Sequence, residues 1–171
     1  ELVLMMNCNQ NPKQIRIHCA TPADIPAWLT LVLSVAAEFP GFQLEEYKAA
    51  LEENIARNSA LFAEIDGAMA GVLLFSYENR ELLFLAVLPK YRRFGVASAL
   101  ISRMLLKLPA GDVTLTTFCE EDKNGEAARV LYQKFGFVPA EICRAFDYPA
   151  QRFVLPEAKR AAELQTGGEG A

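Results

Sequence analysis

The run from Glu81 to Leu88, E-L-L-F-L-A-V-L, is apolar without alternation and is halted by Pro89. A strand of this kind needs cover on both faces, so it belongs at the centre of a sheet with a layer on either side. It is followed by R-R-F-G and then by apolar residues at 96, 100, 101, 104, 105 and 108. That spacing predicts a helix from Val96 to Leu108, opened by Gly95 and closed by Pro109 and Gly111. A buried strand, a short basic loop and a helix start therefore stand together, and the rest of the fold must be built around them.

The flanking sequence supplies the partners. Ile15, Ile17 and Cys19 alternate with Arg16 and His18, which predicts a half-buried strand. Thr21-Pro22 opens a helix expected to run to about Phe39, stopped by Pro40-Gly41, and Leu44, Tyr47, Leu51 and Ile55 mark a second helix over Leu44 to Asn58. Leu61 to Ile65 and Ala70 to Tyr77 flank Asp66-Gly67, a hairpin signal. Val113 to Phe118 reads as a strand, Gly125 to Phe135 as a helix, and Phe137 to Cys143 and Tyr148 to Leu155 as two closing strands. The order β-α-α-β-β-β-α-β-α-β-β predicts an α/β (α+β) architecture, a mixed sheet flanked by helices. At 171 residues the chain suits one domain, expected over 13–155, with 1–12 an extension and 156–171 a flexible tail.

Composition removes several function classes. A net charge of −4 offers no general attraction to nucleic acid or anionic membranes, and no apolar stretch is long enough for a membrane span. Cys8, Cys19, Cys119 and Cys143 form no C-x-x-C pair and His18 is the single histidine, so a zinc site and most histidine-based triads are not expected. Without an export signal or a need for disulfides, a reduced, cytoplasmic setting is the natural expectation. Neither a dinucleotide-binding glycine motif nor a P-loop occurs. Glu120, Glu121 and Asp122 read as a solvated loop, and Trp28 as core.

The segment after Pro89 has a chemistry of its own. First-turn amides of a helix lack intrahelical acceptors and carry the positive end of the dipole, which suits a diphosphate. Gly95 allows close approach of a ligand, Ala97 keeps the next turn small, and Arg92 or Arg93 can add charge-assisted hydrogen bonds. By themselves these residues fit an ordinary solvated loop equally well.

A second motif, N-G-E-A-A-R-V-L-Y-Q-K-F-G-F-V-P from Asn124 to Pro139, changes the weighing. Together the two resemble the GCN5-related N-acetyltransferase (GNAT) family, whose acetyl-CoA loop Q/R-x-x-G-x-G/A is matched by Arg92, Gly95 and Ala97. Val87-Leu88-Pro89 and Tyr91 match the strand exit, and Asn124, Tyr132, Gly136 and Phe137 the second motif; Phe94 departs from the small or basic residue usual there. The resemblance spans about Lys13 to Leu155 in element order, with specific motifs between about 81 and 138.

The resemblance implies a mostly antiparallel sheet of about six to seven strands and acetyl-CoA as co-substrate, with no metal. Coenzyme contacts would fall at Ala86, Val87, Leu88, Arg92, Arg93, Phe94, Gly95, Val96, Ala97, Ser98, Asn124 and Ala127. An amine of a small molecule or peptide would attack the thioester directly, the Val87 amide, beside a strand bulge, receiving the oxyanion. Tyr132 would be the general acid and Glu81 a base. The loop of Glu38, Phe39, Pro40, Gly41 and Phe42 would cover the acceptor, and Glu38, Glu45 and Glu81 would favour cationic amines. A non-catalytic acetyl-CoA sensor, a protein N-acetyltransferase and a homodimer remain open readings.

Overall fold

The computed structural model describes residues 13–160 apart from residue 146, and of Asn124 the main chain alone. Segments 1–12 and 161–171, which include Cys8 and most of the expected tail, lie outside the described residues. The elements are β1 (Arg16–Cys19), α1 (Ile25–Val35), α2 (Leu44–Ala56), β2 (Ala60–Ile65), β3 (Ala68–Ser76), β4 (Glu81–Val87), α3 (Val96–Lys107), β5 (Val113–Phe118), α4 (Glu126–Lys134), β6 (Val138–Ala145) and β7 (Tyr148–Leu155). The seven strands lie in the order β1-β2-β3-β4-β5-β7-β6, all antiparallel except β4 beside β5. This is the mixed, mostly antiparallel sheet and the element order expected.

The β2–β3 hairpin forms because Asp66 and Gly67 both take positive φ, 51° and 79°, as the tight turn matching strand twist requires. The expected first helix is shorter than its sequence pattern. It ends at Val35 and passes into a tight turn at Ala36–Glu38, so that Phe39 stacks on Phe84 with ring centroids 4.6 Å apart instead of continuing the helix.

Helices cover both faces of the sheet. On one side Trp28, Leu31, Val32 and Leu51 of α1 and α2 pack on Val72, Leu74 and Ala86. On the other, Leu100, Ile101 and Met104 of α3 and Tyr132 of α4 pack on Leu73, Phe75, Leu115 and Phe153. Burying each such Leu, Ile or Phe side chain contributes about 1.5–3 kcal/mol. Gly71 of β3 brings α3 close: a Cβ there would lie 2.8 Å from Cγ1 of Val96 and 3.1 Å from the Ala86 carbonyl. At the other end of α3, buried Arg160 donates to the carbonyls of Leu105, Leu108, Pro109 and Gly111 at 2.7–3.1 Å. A cation there satisfies terminal acceptors and complements the helix dipole. Residues 156–160, placed in the tail by sequence, are held against the domain by this contact.

Candidate active site

The site begins where the sheet stops pairing. β4 and β5 meet at Glu81–Thr114 and Leu82–Leu115 and then part. On the β3 side, Leu74 opposes Phe84 and Phe75 opposes Leu82, so Leu83 is an extra residue, a bulge that leaves it 48% exposed. The resemblance put the bulge beside Val87; it lies four residues earlier, where the strands begin to diverge. The central strand is for the same reason less completely covered than its apolar run predicts.

Backbone alternation then decides what faces the gap. The Leu88 amide donates to the Ala70 carbonyl at 2.9 Å, so the neighbouring Gly71–Val87 pair is a non-hydrogen-bonded one. The N–H and C=O of Val87 consequently point away from β3, towards the side that β5 has vacated. Its carbonyl accepts from Nε of Arg92 at 3.1 Å.

The gap opens into a cleft of about 1200 Å³ that reaches both faces of the sheet. This is more than the roughly 300–1,000 Å³ of a usual single-ligand pocket. Its α3/α4 side is lined by Gly95, Val96, Ala97, Ser98, Ala127 and Tyr132, and its α1/α2 side by Phe39, Phe42, Tyr47 and Phe84. Gly95 caps α3 at φ 82° with no side-chain hydrogen bond to the first turn, and a Cβ built there meets nothing within 4 Å. Among the described residues the first-turn amides thus have neither an internal acceptor nor a cover. An anion of the size of a diphosphate fits this cradle. Arg93 takes φ 71° and lines the cleft, whereas the Arg92 guanidinium is shared between Val87 and Glu38, whose carboxylate it meets at 2.8 Å.

Tyr132 lies on the floor of the cleft, its ring edge-on to Phe137 and Phe153 at 6.0 and 6.3 Å. Burial pushes its phenol up to about 12, and its hydroxyl has no hydrogen-bond partner among the described residues. α4 is fixed beside β5 by Arg129, buried and without a carboxylate partner among the described residues: it donates to the Phe118 carbonyl and to Oε1 of Gln151, both at 2.8 Å, and lies over the Phe153 ring.

Of the residues singled out from sequence, the cleft gathers Ala86, Val87, Arg92, Arg93, Gly95, Val96, Ala97, Ser98, Ala127 and Tyr132, with the loop of Glu38, Phe39, Pro40, Gly41 and Phe42. Leu88 is not among the lining residues, since its amide is engaged with β3. Phe94 points elsewhere, 48% exposed with the Lys13 ammonium over its ring. Asn124 sits in the turn before α4, and its side chain is outside the described residues. Glu81 does not line the cleft: it lies at the paired end of β4, opposite Ser76 and Thr114, about 20 Å along the strand from Val87. Glu45 is likewise absent from the lining, while Glu38 and Glu46 belong to it. His18 is on β1, stacked on Phe62 and 2.8 Å from Glu64.

The sequence reading did not single out Phe84, Thr116, Thr117 or Phe118 of the cleft, and took Tyr47 as a helix-face residue. Among the described residues no group of three His, Cys, Asp or Glu is arranged to hold a metal, and no helix is long and apolar enough to cross a membrane.

Residues 57–139 match the family described as acetyltransferase (GNAT) domain. No curated protein matches the chain. Solved structures share the fold at low identity. The ribosomal-protein-S18-alanine N-acetyltransferase of Escherichia coli aligns with a TM-score of 0.64 at 21% identity, over 84% of this chain and 94% of that one. Naa50 of Arabidopsis thaliana, in complex with the bisubstrate analogue CoA-Ac-MVNAL, gives 0.63 at 17%, over 82% and 97%. The structure of yncA from Salmonella typhimurium with its cofactor acetyl-CoA gives 0.65 at 14%, over 83% and 93%. By class the protein is an acyltransferase. Its matched segment supplies β2 to α4, including the parted strands and the open helix start, and is a GNAT acetyltransferase domain.

Proposed function

We propose that this chain transfers the acetyl group of acetyl-CoA to a primary amine of a small molecule or peptide, by direct attack within a ternary complex. The observation that carries the reading is the parting of β4 from β5 beside an uncapped helix start. It opens the sheet to reagents from both faces and sets a diphosphate cradle at one mouth. The bisubstrate analogue bound by Naa50, which joins coenzyme to peptide, supports a complex holding both reactants.

In this reading the amides of residues 93–98 and Arg93 hold the diphosphate. The amine nitrogen attacks the thioester carbon, and negative charge on the carbonyl oxygen develops towards the Val87 amide. As the carbon–sulfur bond breaks, Tyr132 gives its proton to the departing thiolate. A buried phenol held above its ordinary pKa keeps that proton throughout the working range. Glu81 has no place in this route. A primary amine of pKa near 10.4 is about 1% neutral at pH 8.4, so attack can draw on that fraction without a protein base.

The test is calorimetric titration with acetyl-CoA followed by thiol release against an amine panel. Saturable binding and acceptor-dependent thiol release are expected; binding without release under any acceptor supports the sensor reading instead.

A further inference from the structure

The α1/α2 half of the cleft has a composition that the proposed reaction does not itself require. Phe39, Phe84, Tyr47 and Phe42, drawn from the α1–α2 connection, β4 and α2, form one unbroken run of rings. Successive centroids are 4.6, 4.9 and 5.4 Å apart, in tilted and edge-on contact. The run is held rigidly: Nε1 of fully buried Trp28 donates to the Tyr47 hydroxyl at 2.8 Å, and all four rings line the cleft.

Polar capacity in the same half is small. Glu38 is paired with Arg92. Asn54 spends its amide on the Ala50 carbonyl and its oxygen on the Ser59 hydroxyl. Glu46 and Gln43 are the lining side chains there without a hydrogen bond or ion pair among the described residues. An aminosugar presents several hydroxyls that would go unmatched against the rings, and a polyamine several ammonium groups where one carboxylate is free. A continuous apolar wall with a single carboxylate beside it matches a flat apolar body carrying one amine.

We infer that the acceptor is an arylalkylamine, its ring laid on the Phe39–Phe84–Tyr47–Phe42 wall and its ammonium drawn in by Glu46. This rests on the acetyl-transfer reading above and names the acceptor for that same cleft. The wall supplies binding that depends on the shape of the amine's body, so it discriminates among amines of equal basicity.

The experiment uses the full chain with saturating acetyl-CoA and compares phenethylamine, ethylamine, spermidine, glucosamine and a peptide with a free N-terminus. Phenethylamine is expected to exceed ethylamine in kcat/KM by at least about tenfold, and Phe42→Ala to shrink that ratio by about the same factor. The wild-type panel stands by itself should the variant not fold. Preference for spermidine, glucosamine or the peptide overturns the inference, as does binding of acetyl-CoA with no release under phenethylamine. Calorimetry separates the two levels: loss of coenzyme binding itself removes the acetyl-transfer reading, whereas binding with a different best acceptor removes only the aryl specificity.

Discussion

Tyr132 is a packing residue and, in the proposed reaction, the proton donor. Its ring belongs to the core of the α3/α4 face, but its hydroxyl has no partner among the described residues. Removing that oxygen leaves no orphaned group, so Tyr132→Phe is expected to match or exceed the wild type in stability by up to about 1 kcal/mol at pH 7. Turnover should fall by about 100-fold or more, with coenzyme affinity unchanged. With the folded-state phenol at about 12 and the unfolded one near 10, the folded chain holds the extra proton between those values. Wild-type stability is therefore level below pH 10 and falls as pH rises through 12, by about 3 kcal/mol in all. Denaturant titrations from pH 9 to 12 should show this loss in the wild type and not in Tyr132→Phe. For the same reason turnover should climb with pH towards the amine's own pKa and show no falling limb from Tyr132 below about pH 11. Gly95 gives a contrasting case. Space at its Cβ position is open, so Gly95→Ala suffers chiefly from its φ of 82°, about 1–2 kcal/mol in thermal or chemical melts. Acetyl-CoA affinity in titration should drop further than this, because the methyl group enters the cradle.

At the scale of elements, the hairpin, β5 and β7 could be placed from local pattern because their signals are local. Asp66-Gly67 needs two positive φ angles wherever it occurs, and Val113–Phe118 and Tyr148–Leu155 are bounded by strong punctuation. The open start of α3 was visible too, since R-R-F-G-V-A shows a glycine and no capping side chain. The aromatic wall was visible only in part: Phe39 and Phe42 lay in the loop expected over the acceptor, whereas Tyr47 and Phe84 come from two other stretches and read as ordinary helix face and strand. The point at which β4 leaves β5 is a matter of register between strands joined through α3, and no pattern within either strand records it. Glu81 illustrates what a short motif leaves out without that register: its sequence context matches, and it stands at the paired end of the strand, outside the cleft lining. Arg160 was also passed over, as one charge in an Ala- and Glu-rich segment. Arg160→Met should destabilise the domain by about 3 kcal/mol, since four carbonyls lose a charged donor. Acetyl-CoA affinity, set at the opposite end of α3, should stay within about twofold at temperatures where the variant is folded.

For the molecule as a whole, the sheet is two sheets joined at a seam. β1 to β4 form one, carrying α1 and α2; β5, β7 and β6 form the other, with α4 beside it. Amides of Leu85 and Val87, though in a central strand, face the seam and lack a cross-strand partner on that side among the described residues. Hydrogen exchange should therefore be faster at these two positions than at Val72 and Leu74 of β3, whose amides are paired with β4, and acetyl-CoA should slow it. Equal protection at all four without coenzyme would mean that β4 and β5 stay zipped.

The seam has a mechanical consequence. Two pairs of opposed residues, Glu81 with Thr114 and Leu82 with Leu115, act as the spine of a half-open book, reinforced at its end by Arg80, whose Nε donates to the Asp112 carbonyl at 3.0 Å. On one face, however, α3 lies across both pages, its Leu100, Ile101 and Met104 buried in one cluster with Leu73 and Phe75 of the first and Leu115 and Phe153 of the second. Tilting one page against the other would have to break that shared core, so the slot keeps a preset width for whatever enters it.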